Sequence, residues 1–199
     1  MSLNNVRQYA LMFALLCGST GLSGMAQADD GDCDMMSAVK KVDYGRYRKE
    51  DMRQASAEYV GKVYNGYASV TREFQVSALC PNARKMRISI DGAARQNMAY
   101  RFTDNGAMKI EFRDGRVDGI PVQLAAVDIG AVAVQGGASQ VTLKPEKALA
   151  AVSGTEIAGE QFTATMMITT YLSDKAFNVT NTTDFVETLT LNVDTLPAH

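Results

Sequence analysis

The chain has no tryptophan and a single histidine, His199, which is its last residue. Without an internal imidazole, neither a Ser-His nor a Cys-His pair can form, so the common nucleophilic constellations are excluded. No G-x-S-x-G, P-loop or dinucleotide-type G-x-G-x-x-G occurs, and the Gly136-Gly137-Ala138-Ser139 run is a turn rather than a phosphate cradle. Carboxylates are scattered, not paired. The sequence therefore predicts no enzyme, no catalytic residue and no cofactor. A dominant charge is also lacking. Lysine and arginine number 20 against 22 acidic residues, which leaves no basic face for nucleic acid. Long apolar runs are absent too, since residues 9–16 (YALMFALL) fall well short of the ~20 residues that span a bilayer.

That short run belongs to a different plan. Arg7 precedes it, small residues follow, and the stretch ends in Ala26-Gln27-Ala28. A positive start, an apolar middle and an A-x-A end describe a secretory signal peptide over residues 1–28, cleaved after Ala28. Leu16 before Cys17 is too bulky for a lipoprotein site. The mature chain, residues 29–199, is one domain in length. It keeps two cysteines, Cys33 and Cys80. An even pair in an exported chain predicts a disulfide, and two thiols fall short of the four ligands of a structural zinc site. Closing that loop contributes roughly 4 kcal/mol on the chain-entropy model. Asp29, Asp30, Asp32 and Asp34 cluster beside the cleavage site, where a solvated acidic end is favoured over a calcium site, so no metal is expected.

Hydrophobicity alternates with period two through most of the mature chain. Val70, Phe74, Val76, Ala78 and Cys80 interleave with polar residues, and so do Met86, Ile88 and Ile90. The theme continues in Met108, Ile110 and Phe112, in Val141 and Leu143, in Phe162, Ala164, Met166 and Ile168, and in Leu189, Leu191 and Val193. Each run describes a half-buried strand. Asn65-Gly66, Asp91-Gly92, Asn105-Gly106, Asp114-Gly115, Asp118-Gly119 and Gly136-Gly137 supply turn signals. Many short strands with regular turns predict an all-β sandwich or barrel. Residues 145–152 (PEKALAAV) are the one expected helical turn, with Pro145 at its start.

Two stretches look irregular. Residues 173–184 are polar and threonine-rich, and form an expected long loop. Residues 45–68 are charged and tyrosine-rich. Tyr47, Tyr59, Tyr64 and Tyr67 there are the candidate binding surface, because tyrosine gives large, semi-rigid contact area. The competing reading has them packing on one sheet edge.

Several motifs together resemble the pilin domains of chaperone–usher fimbriae. Cys33 stands near the mature start and Val42-Asp43-Tyr44-Gly45 ends a first strand. Phe74-x-Val76-x-x-Leu79-Cys80 is similar to the strand carrying the second cysteine, and Met86-x-Ile88-x-Ile90-Asp91-Gly92 to the one after it. Ala158-Gly159-x-x-Phe162-x-Ala164-x-Met166-x-Ile168 looks like the family's late glycine-led strand. The resemblance implies an immunoglobulin-like β-sandwich completed by a donor strand from a neighbour. It implies a periplasmic chaperone, an outer-membrane usher and neighbouring fimbrial subunits as partners, transit through the periplasm and a place in a surface fimbrium for cell adhesion, with a host or surface ligand as a further partner. Only residues 29–32 precede Cys33, so the expectation is a minor or tip subunit that accepts a strand. The alternative is a self-complete periplasmic or secreted β-sandwich that binds a ligand through the tyrosine-rich stretch.

Overall fold

The computed structural model describes residues 32–37, 47–59, 62–95, 99–178 and 186–198. The expected signal peptide over residues 1–28, Asp29, Asp30 and the motif at residues 42–45 lie outside them. Among the described residues there are fourteen strands, two short 3-10 turns and no α-helix. Among the described residues no helix is long and apolar enough to cross a membrane.

The strands are β1 (Asp34–Ser37), β2 (Arg53–Tyr59), β3 (Lys62–Ala68), β4 (Arg72–Asp91), β5 (Ala94–Arg95), β6 (Ala99–Arg101) and β7 (Gly106–Val117). Then come β8 (Ile120–Pro121), β9 (Gln123–Asp128), β10 (Gln140–Leu143), β11 (Lys147–Ser153), β12 (Thr155–Glu156), β13 (Ala158–Leu172) and β14 (Thr190–Leu196). All pairings are antiparallel and belong to one hydrogen-bonded network, with β12, β11, β4, β13, β7, β6 and β5 along its spine. Both halves of this network turn their apolar side chains onto one core. Val76, Ala78, Phe112, Ile110, Phe162 and Ala164 meet Ile88, Ile90, Leu124, Leu143, Leu149 and Ala151 there. The all-β fold expected from the alternation is the fold observed.

β4 organises this closure. It is 20 residues long, where the sequence pattern suggested two strands. Its partner β13 pairs Gly159 with Arg84 and then jumps to Gln161 with Leu79. Residues 80–83 therefore fall outside every register with β1, β13 and β14. Pro81, which has no N–H to give a ladder, sits in that gap, where its missing donor costs nothing.

Turn chemistry explains the other joints. Asp118 and Gly119 both have positive φ, 49° and 80°, and link the paired residues Val117 and Ile120. That is the two-residue hairpin for which Asp-Gly is suited. The Asp118 carboxylate also accepts from the backbone N–H groups of Glu160 and Gln161, at 3.0 and 2.8 Å, so the turn holds the bulge in β13. At Gly115 a Cβ would sit 2.5 Å from Leu124 Cδ2, so only glycine lets β7 pass that side chain.

Three expectations are corrected. Residues 145–152 form no helical turn, because Lys147–Ser153 is strand β11. Residues 53–68 are not irregular, since β2 and β3 pair as a hairpin, and Asn65-Gly66 lies within β3 rather than at a turn. Val70 is not part of β4 and is 74% exposed.

A candidate interaction edge

β4 has two edges, and they are finished differently. Lys85 pairs with Ala158 of β13 on one side and with Leu196 of β14 on the other. Val76, Ser77 and Ala78 pair with β13 on one side and with β1 on the other. Since β13 keeps to one edge, β1 and β14 follow each other along the opposite edge. The first edge is then covered in depth, by β13 with β7 beyond it, and by β11 with β9 beyond it. Beyond β1 and β14 no further strand pairs among the described residues.

Alternation along this outer edge sets what it offers. Leu189, Leu191 and Val193 reach the core but are only partly buried, and Met35 of β1 and Cys33 just before it do the same. Asp194 and Asp34, one residue out of phase, are exposed. Native edges are usually blunted by lysine, proline or a bulge. β14 contains none of these, and its pairing with β4 runs without a register shift from Thr190 to Leu196.

The edge is fixed firmly from within. Cys33 and Cys80 form the expected disulfide, with Cα atoms 4.3 Å apart, next to the paired residues Asp34 and Leu79. Under β14, Arg87 is almost wholly buried. Its Nε and Nη2 donate to the two carboxylate oxygens of Glu156, each at 2.8 Å, and its Nη1 donates to the Ala131 carbonyl at 2.6 Å. The Glu156 carboxylate holds the guanidinium pKa above its ordinary value, against the opposing effect of burial. Arg87 also stands opposite Asp194 in register, and that carboxylate adds to the upward shift, while the hydrogen bonds of Arg87 go to β12 and to the loop after β9. The Arg87–Glu156 pair is a part of the edge's support that the sequence did not announce.

The tyrosines predicted as a binding surface are divided by the structure. Tyr47 is half-buried. Its hydroxyl lies 2.9 Å from Thr170 Oγ1 and its ring stands edge-on to Phe102, centroids 6.0 Å apart. Burial raises its phenol pKa, partly offset by hydrogen bonding to Thr170 and Ser69. Tyr67 packs edge-on against Phe177 at 5.5 Å and carries Lys49 Nζ 5.0 Å from its ring centre. Lys49 in turn bridges to Asp174 at 2.7 Å. Tyr59 and Tyr64 belong to the paired strands β2 and β3. Thus Tyr47 and Tyr67 pack within the molecule. A cleft of about 330 Å³ opens beside them, lined by Asp51, Arg53, Ala68, Ser69, Val70 and Thr71. Its hydroxyls are already engaged, Ser69 with Thr170 and Thr71 with Thr169. No group of three metal-ligating side chains occurs among the described residues.

No protein-family model matches the chain, and no curated protein matches it. Among solved structures, the crystal structure of the P pilus rod subunit PapA is similar, with a TM-score of 0.44 at 8% sequence identity. The alignment covers 82% of this chain and 99% of that one.

Proposed function

We propose that this protein is a non-enzymatic subunit of a bacterial surface fimbria, exported through the periplasm, whose open β1–β14 edge accepts a strand from a partner. The observation that supports this is the edge itself. It combines an outer side with no strand neighbour among the described residues, half-buried Leu189, Leu191 and Val193, and no lysine, proline or bulge in β14. Strand addition would pair the first and bury the second, with main-chain bonds giving affinity and alternate side chains giving specificity. On this reading a periplasmic chaperone covers the edge in transit, an outer-membrane usher receives the subunit, and a neighbouring subunit covers the edge in the fibre. A minor or tip position with an adhesive role completes the proposal. The packing of Tyr47 and Tyr67 within the molecule weighs against the alternative of a tyrosine-lined ligand site.

Periplasmic production of residues 29–199 alone tests the proposal. Poor recovery, rescued by an added strand peptide with alternating apolar residues, is the expected result. A cooperative, stable monomer that ignores such peptides would overturn it.

A further inference from the structure

The open edge is not neutral. β1 reads Asp34-Met35-Met36-Ser37 and β14 reads Thr190-Leu191-Asn192-Val193-Asp194-Thr195-Leu196, so together they carry two carboxylates and no basic residue. Both carboxylates belong to the outward-facing set, because the residues beside them, Cys33 just before β1, Met35 in β1 and Val193 in β14, are the ones that pack on the core. The nearest buried cation, Arg87, is opposite Asp194 across the β4–β14 pair and feels its charge, while its guanidinium is hydrogen-bonded to Glu156 and Ala131. Asp194 is exposed on the outward face of the edge strand, beside the place where a further strand would lie.

On the strand-addition reading given above, we infer that the partner strand is basic on its outward face. Its inward positions are apolar, to complete the layer of Leu191 and Val193, and at least one outward position facing Asp194 or Asp34 is lysine or arginine. Opposite charges on directly neighbouring strands attract and like charges repel. The same acids work against an acidic strand, so the edge selects by repulsion as well as attraction. A cation there would complete a ladder of alternating charge, from buried Arg87 through Asp194 to the partner.

Three synthetic strand peptides of the same alternating apolar pattern, with outward lysine, serine or glutamate, test this by fluorescence anisotropy on the mature protein. At low ionic strength, where the Debye length is about 30 Å, the lysine peptide should bind roughly two- to fivefold more tightly than the serine one, and the glutamate peptide more weakly by a similar factor. Salt near 0.5 M should compress the series. Asp194→Lys should invert the order, and Asp34→Asn should narrow it without inverting it. Urea midpoints of both variants verify that they remain folded. Equal affinities for all three peptides would overturn this inference and leave strand addition standing. Failure of every peptide to bind would overturn both.

Discussion

β13 and β14 carry the same kind of alternating sequence, yet the fold treats them differently. β13 is paired on both edges, with β4 and with β7, and Phe162, Ala164, Met166 and Ile168 are buried. β14 is paired on one edge, and none of its residues is fully buried. The difference teaches that alternation alone sets which face a strand turns inward. How completely that face is covered depends on the second neighbour. β13 has one, and β14 lacks one among the described residues.

The sharpest way to break the comparison is to truncate a side chain in the covered strand. Phe162→Ala should cost about 3–5 kcal/mol, read as a shift of the urea midpoint, because Phe162 is inaccessible to solvent. Removing the disulfide should come next. Cys33→Ser with Cys80→Ser should cost roughly 4 kcal/mol on the chain-entropy model for a sequence separation of 47, and hydrogen exchange should then rise first in β1. Glu156→Gln, which leaves the buried Arg87 charge without its counter-ion, should cost about 3 kcal/mol. Its mark should be proteolytic cleavage in the loop after β9, where Arg87 holds the Ala131 carbonyl. Leu191→Ala should cost only about 1 kcal/mol, since its side chain has less burial to lose. If it cost as much as Phe162→Ala, β14 would not be the under-covered strand described.

The smallest effect concerns pH. Burial pushes the Tyr100 phenol well above the ordinary tyrosine value, with the Asp91 charge adding to the shift, and burial raises Tyr47 as well. A phenol raised in the folded state contributes stability that is complete below the unfolded value near ~10 and is lost as pH rises beyond it. Thermal midpoints should therefore hold up to about pH 10 and decline above it. Absorbance at the phenolate band should show these two rings ionising only as the chain unfolds. Ionisation at the ordinary value in the folded protein would contradict this.

Much of the fold was legible because most strands have one wet face. Met108, Ile110 and Phe112 alternate with Lys109, Glu111 and Arg113, and that pattern carries its own assignment. β11 was misread for the converse reason. Residues 148–152 are buried at every position, so the strand is an unbroken apolar run with no alternation, which periodicity cannot distinguish from a helix. Alanine's helical preference was then overruled by pairing with β4 and β9. The continuity of β4 is not legible locally, because Pro81 usually interrupts a strand and nothing nearby says that residues 80–83 lie where no neighbour needs their hydrogen bonds. The disulfide followed from counting cysteines. The continuity of β1 and β14 along one edge did not, since it depends on two separate sets of long-range pairings with β4. The absence of lysine and proline from β14 was the local clue available.

The position of the Cys33–Cys80 bridge also decides how the domain would carry load. A pull on the chain ahead of Cys33 does not reach the four paired residues of β1 first. It passes through sulfur into the middle of β4, the strand bonded to β11, β13 and β14. Tension entering there passes along β4 to the ladders on either side of residues 80–83, whereas β1 alone would peel one bond at a time. β1 can thus be short without being the mechanical weak point.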